Sequence, residues 1–316
     1  MNKIFRSACL AVPAALVVIM CSVMCGCMTA PRQQMFATQE KAVDAFVAAV
    51  RSNDIKTLEK ILGPDASDII SSGDETDDKA ARAMFLKYYD RKNSIVKVRE
   101  RKAEIVIGEE AWPFPIPVIS RKGQWFFDTD AGREEILDRR VGRNELSTIQ
   151  TLLAVVDAQR EYAMKDRDAD GILEYAEKFK SVSGAKDGLY WKAAADEEQS
   201  PLGLMAARAQ EERYTAKSGE EGNQPYHGYI FRIIKEQGAN ATGGAFEYVV
   251  NGNMIGGFAV VAFPAQYGNS GVMTFSVNYD GVVYQKDLGP DTADIAAKID
   301  AYDTDASWQK TKSKID

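Results

Sequence analysis

The sequence predicts an α+β protein. Apolar residues recur at helical spacing between about 38 and 91, and strand-like runs with turn signals follow to about 128. A long helical stretch then leads into a second, strand-rich region. Helices grouped ahead of strands favour separate layers over the parallel crossovers of an alternating pattern.

The chain has 316 residues, 45% hydrophobic and 27% charged, which excludes bulk disorder, collagen-like repeats and coiled-coil rods. Its 39 basic and 46 acidic residues leave a net charge of −7, and no long Lys/Arg run is present. Nucleic acid is therefore not an expected partner, since it demands a concentrated basic footprint.

At the N-terminus, Lys3 and Arg6 precede an apolar run from Ala8 to Met24. That is the pattern of an export signal, assigned to residues 1–26, rather than of a membrane span. All four cysteines (Cys9, Cys21, Cys25 and Cys27) fall at this end, so the exported chain has no disulfide. Met24-Cys25-Gly26-Cys27 resembles a bacterial lipobox, which implies cleavage after Gly26 and lipidation of Cys27. By the same resemblance, Met28 in place of Asp implies the outer membrane. Ordinary cleavage near Ala30 is the alternative and gives a soluble periplasmic protein. Residues 27–37 read as a short polar tether.

The first helix follows Thr38 as N-cap and places Val43, Phe46, Val47 and Val50 on one face. A second, Ile55–Leu62, stops at Gly63-Pro64. Ile69-Ile70 reads as a strand end before the turn Ser71-Ser72-Gly73-Asp74. A third helix, about Asp77–Arg91, sets Ala81, Met84, Phe85 and Tyr88 on one side. Strands are expected at 95–98, 104–107, 112–119 and 124–128, the last two joined by Lys122-Gly123. Prolines at every second position of Trp112-Pro113-Phe114-Pro115-Ile116-Pro117 would protect a sheet edge. These elements define an N-terminal domain over 36–130, whose order resembles the nuclear-transport-factor-like fold and implies a curved antiparallel sheet.

Residues 131–165 read as a nearly continuous connecting helix, with a bend placed near Gly142. Its second half carries the stripe Leu146, Ile149, Leu153 and Val156 and belongs to a C-terminal α+β domain over 144–308. Strands are expected at Tyr229–Ile234, Phe246–Val250, Ile255–Phe263 and Val272–Asn278, with Asp280-Gly281 as a hairpin turn. Met273, Phe275 and Val277 alternate with Thr274, Ser276 and Asn278, predicting one wet face. A last helix is expected at Thr292–Tyr302, and Ser218–Gln224 is a polar stretch.

Several unusual strings stand in a specific order. They include Leu62-Gly63-Pro64, Trp125-Phe126-Phe127-Asp128, Gly132-Arg133-Glu134-Glu135-Ile136-Leu137 and Arg140-Val141-Gly142-Arg143-Asn144-Glu145-Leu146. Asp187-Gly188-Leu189-Tyr190-Trp191, Tyr226-His227-Gly228-Tyr229 and Asn251-Gly252-Asn253-Met254-Ile255-Gly256-Gly257-Phe258 extend the set. Together they resemble domain of unknown function 2950, a family of exported bacterial proteins, over nearly all of 36–308. The resemblance implies no catalytic residue. The C-terminal half also resembles the globular head of type IV pilins and pseudopilins, although its helix is internal and lacks their apolar N-terminal half.

The sharpest local motif is Asp166-Arg167-Asp168-Ala169-Asp170-Gly171-Ile172-Leu173-Glu174-Tyr175-Ala176-Glu177, a match to D-x-D-x-D-G-x₅-E. Oxygen donors of Asp166, Asp168 and Asp170, the Ile172 carbonyl and a bidentate Glu177 would hold calcium. Leu173–Phe179 is expected to begin an exiting helix. An Asp-rich solvated turn is the simpler reading of the same residues.

Glu134, Glu135 and Asp138 are the candidate acid and base groups of a hydrolase acting on a glycan, a chemistry that needs paired carboxylates. An interdomain ion-pair network is the competing use of that charged run. His227, the only histidine, has no Gly-x-Ser-x-Gly elbow beside it and reads as a residue opening a strand. The expectation is thus a cell-envelope protein, lipid-anchored or periplasmic, acting as a non-catalytic binding or assembly module for a protein or glycan. An envelope hydrolase is the alternative.

Overall fold

The computed structural model describes residues 33–194, 196–212 and 224–311. The signal segment, Cys27, most of the tether and all but Gln224 of the polar stretch lie outside the described residues.

Helix α1 (Gln39–Ser52) is capped by Thr38, whose hydroxyl accepts the Lys41 amide at 3.2 Å. Such a cap stabilises a helix by about 1 kcal/mol. Val43, Phe46, Val47 and Val50 are all buried, as their spacing predicts. Helix α2 (Ile55–Leu62) ends at Gly63, where φ is 106°. Helix α3 (Ser67–Ile70) is one turn, and α4 (Glu75–Arg91) begins at Asp74, which accepts the Thr76 and Asp77 amides.

The strands β1 (Asn93–Arg99), β2 (Lys102–Ile107), β3 (Trp112–Pro113), β4 (Val118–Arg121) and β5 (Gln124–Phe127) form an antiparallel sheet in the order β1-β2-β4-β5. The short β3 also pairs with β2. The proline run interrupts the strand: the Phe114 amide still donates to the Ile105 carbonyl at 2.7 Å and the Pro117 carbonyl accepts the Asp128 amide at 2.8 Å, but 114–117 is not strand and the expected element is split in two. Lys122 and Gly123 both have positive φ, the conformation that closes a tight two-residue hairpin between Arg121 and Gln124.

Helix α5 (Thr129–Tyr162) is continuous through Gly142. After it come α6 (Gly203–Glu211), β6 (Tyr229–Ile234), β7 (Glu236–Gln237), β8 (Phe246–Glu247), β9 (Val249–Val250) and β10 (Asn253–Met254). The chain finishes with β11 (Ala259–Pro264), β12 (Met273–Asn278), β13 (Tyr284–Asp287), α7 (Thr292–Ala296), β14 (Ala301–Tyr302) and β15 (Gln309–Lys310). The main C-terminal sheet runs β15-β13-β12-β11-β6, all antiparallel.

Two hydrophobic cores occupy one compact unit. One gathers α1 to α3 around Phe46, Ile61, Ile105 and Phe127; the other gathers β6, β11 and β12 around Tyr229, Phe258, Val261 and Phe275. Helix α5 serves both, with Ile136 and Leu137 against the first and Leu152, Val155, Val156 and Tyr162 in the second.

Polar groups join the cores. The buried Arg140 guanidinium donates to the carbonyls of Asp68 (2.6 Å) and Ile69 (2.7 Å) on one side and to Asn269 Oδ1 on the other. Asn269 donates to the Ser71 carbonyl at 2.9 Å, Asn144 to the Ser270 carbonyl at 2.9 Å, and the Gly228 amide to Asp74 Oδ2 at 3.0 Å.

Other expectations need correction as well. Ile69-Ile70 lies in α3 rather than a strand, because carbonyls that a ladder would use are taken by Arg140 and Arg82. On α4, Met84 and Tyr88 are 56% and 44% exposed, and Asp78 is the helix's buried residue. On α5, Val156 is buried and Ile149 and Leu153 pack against the core as expected, but Leu146 is exposed; the buried face also takes in Leu152 and Val155 and the polar Asn144, Thr148, Thr151 and Gln159, which hide the period. Strand β12 has no wet face: Thr274, Ser276 and Asn278 are as buried as Phe275 and Val277, since α5 packs on the sheet along with α7 and β14. The last helix stops at Ala296, and Ala301–Tyr302 pairs in parallel with β7.

Gly132 lets α5 approach the proline run. A Cβ there would lie 2.7 Å from the Pro115 carbonyl oxygen and 2.9 Å from Ile116 Cα. Gly132→Ala is expected to destabilise by about 1–3 kcal/mol through overpacking. Gly142→Ala, facing open space on the same helix, should leave stability equal or raise it by up to ~1 kcal/mol. Paired urea titrations check both.

Candidate functional site

A cavity in the N-terminal half opens between α4 and α5. Its floor is apolar: Phe46 and Val50 from α1, Leu58 and Leu62 from α2, with Ile116 and Ile136 from further along the chain. Helix α4 contributes Ala81 and the half-buried Phe85. The cavity is about 300 Å³, at the lower end of the range for small-molecule sites.

The rim is charged. Asp77, Asp78 and Arg82 come from α4, and Arg139, Arg140 and Arg143 from α5. Arg143 bridges the two helices through Asp77 at 3.2 Å. Arg82 donates to Asn53 Oδ1 at 2.8 Å and to the Ile70 carbonyl at 3.1 Å. Asp78 accepts from the Ser71 hydroxyl (3.0 Å), the Ser72 amide (3.0 Å) and the Ser72 hydroxyl (2.8 Å). Burial pushes its carboxyl above the ordinary value, against the pull of those hydrogen bonds and of Arg140. Burial likewise lowers the Arg140 and Arg82 guanidinium values.

The sequence-derived carboxylates lie elsewhere. Glu134, Glu135 and Asp138 are exposed on α5 and do not line this cavity. Glu135 is paired with Arg139 one helical turn on, at 2.6 Å. The basic members of the same run are the ones that reach the N-terminal elements: Arg133 bonds Asp68, Arg140 the α3 carbonyls and Arg143 Asp77. A sequence signal for the rim did exist. Three of the run's arginines fall at 139, 140 and 143, one turn of a helix. The partners Asp77, Asp78 and Arg82 carried no comparable mark.

In the acidic loop, one carboxylate oxygen from each of Asp166, Asp168 and Asp170 lies within 4.8 Å of the other two, and all three residues are exposed. Asp166 accepts the Ala169 amide at 2.7 Å and the Gly171 amide at 2.9 Å, which lowers its carboxyl value, with the Gly171 bond the larger cause. Asp170 accepts the Ile172 amide at 2.7 Å and the Asn253 side chain at 2.6 Å. Oxygen donors in this arrangement suit a hard cation.

The second half of the motif departs from expectation. No helix follows, because the Tyr175 amide donates to the Met254 carbonyl (2.9 Å) and the Ala176 amide to buried Gln159 (2.8 Å). The chain is drawn out along β10, and Glu177 pairs with Lys235 rather than joining the aspartates. Glu174 accepts the Met254 amide at 3.3 Å; burial, then the charge of Asp168, raises its carboxyl value.

His227 opens the β6 approach with φ at 48°, and the following Gly228 has φ at 75°. Tyr226 and Tyr229 exchange both backbone hydrogen bonds across this pair. Its imidazole lies 3.1 Å from Glu212. That makes it a turn residue, and the amide of its neighbour Gly228 donates to Asp74.

The fold and the cavity together define an α+β protein with a rimmed apolar pocket and a separate acidic loop, in which no helix of the described residues is long and apolar enough to cross a membrane. A family model described as protein of unknown function (DUF2950) matches residues 33–311, and the chain belongs to that family. Comparisons with curated proteins and with solved structures return no match.

Next to the acidic loop, Glu198 lies 2.8 Å from both Lys165 and Lys186, whose hydrogen bonds hold its carboxyl at about 2. A lowered folded value means that its stabilisation is present above the ordinary value of 4.5 and lost as pH falls through about 2. The melting temperature of the native chain should exceed that of Glu198→Gln above pH 4.5, and the two should converge by pH 2.

Proposed function

We propose that this protein is a non-catalytic binding module of the bacterial cell envelope, exported by its N-terminal segment and anchored through a lipid on Cys27. The observation that carries the binding reading is the pocket between α4 and α5, apolar within and charged at the rim. Its rim groups are already engaged in hydrogen bonds with the protein, a pattern of positioning rather than of proton transfer. The exposed Glu134, Glu135 and Asp138 offer no enclosed site for hydrolysis. The lipobox-like Met24-Cys25-Gly26-Cys27 supports the anchor.

The pocket is tested with an apolar dye that fluoresces only when shielded from water. One dye should bind per chain, and Ala81→Trp should abolish the signal while circular dichroism stays unchanged. Dye binding unaffected by the substitution would remove the pocket from the reading.

The acidic loop supports a second, structural element of the proposal: a calcium ion held by Asp166, Asp168 and Asp170 with the Ile172 carbonyl. It would neutralise carboxylates gathered within 4.8 Å and secure the loop against Asn253. Calcium should raise the melting temperature of the native chain, and Asp168→Ala should lose that rise. An identical melting curve with and without excess calcium would sink the ion site.

A further inference from the structure

The rim of the α4–α5 pocket holds four guanidiniums against two carboxylates. Two of the four have only neutral hydrogen-bond partners. Arg140 donates to two carbonyls and the Asn269 amide oxygen, and Arg82 to the Asn53 amide oxygen and the Ile70 carbonyl. Their positive charge is therefore not cancelled by a direct ion pair. The nearby Asp78 carboxylate offsets part of it, and the excess left by four guanidiniums over two carboxylates acts in a partly buried setting, where charge has a longer reach than in water. The other two, Arg139 and Arg143, are half exposed, with side chains 47% and 51% accessible, and stand one helical turn apart at the opening. Each already holds a carboxylate, Glu135 and Asp77 respectively. An incoming carboxylate would reproduce geometry that both residues adopt in this structure.

Beneath that rim the volume is about 300 Å³ and apolar. At ~30 Å³ for each water- or methylene-sized group, it accommodates roughly ten. We infer that the pocket takes a single unbranched acyl chain of medium length, inserted tail-first, with its terminal carboxylate at Arg139 and Arg143. This rests on the binding reading above and adds the ligand class.

The experiment is displacement of the apolar dye from the purified chain by decanoate, decanol and decyl phosphate. Decanoate should compete at least tenfold more tightly than decanol. The double variant Arg139→Met and Arg143→Met, which keeps the apolar stems, should erase that preference by weakening decanoate alone, and Arg139→Lys with Arg143→Lys should restore most of it. Ala81→Trp should exclude both chains. Equal competition by decanol, a preference that survives in the Met variant, or tighter binding of decyl phosphate each overturns the carboxylate assignment. If the dye binds once and is blocked by Ala81→Trp but no ten-carbon chain displaces it, the ligand class fails and the binding reading stands. If the dye itself does not bind, both fail.

Discussion

The architecture depends on one buried cation. Arg140 sits near the middle of α5, 8% exposed, and reaches carbonyl oxygens of α3 with one side of its guanidinium and Asn269 with the other. A guanidinium taken out of water is costly unless its donors are satisfied, and each hydrogen bond to such a charged group contributes about 1.5–3 kcal/mol. Those partners belong to both halves of the molecule. The requirement to satisfy one charge therefore brings α3 against α5 and the 266–271 loop against both. Asn144, Asp74 and Asn269 add directional bonds along the same seam, so two apolar cores that would each tolerate sliding are held in one register.

Where local chemistry decides structure, the sequence was readable. Thr38 as N-cap, the stop at Gly63 and the turn at Lys122-Gly123 all rest on contacts within a few residues, and they appear where expected. The seam was opaque for the opposite reason. Asn144, Thr148, Thr151 and Gln159 are polar and buried, so the face of α5 that packs inward does not look apolar, while Leu146 looks buried and is not. Strand β12 misled in the same way: alternation predicts one wet face only if nothing covers it, and coverage is a property of distant elements.

The candidate sites divide similarly. The acidic loop announced itself because its three carboxylates, Asp166, Asp168 and Asp170, fall within one five-residue stretch. Its expected helix was lost to long-range bonds from Gln159 and Met254. The pocket left little trace, since its wall is assembled from α1, α2, α4, α5 and the proline run. The one legible part was the arginine cluster on α5, and the carboxylates beside it drew attention to the wrong side of that helix.

Helix α5 has a consequence for any attempt to dissect the protein. Its first half completes one core and its second half the other, with no break at Gly142. A fragment ending near 130 would leave the N-terminal core without Ile136, Leu137 and three rim arginines. A fragment starting near 163 would strip Leu152, Val155 and Val156 from beneath the C-terminal sheet. Neither half keeps a complete core when cut there, so the stretch from α1 to β15 is expected to fold as one piece.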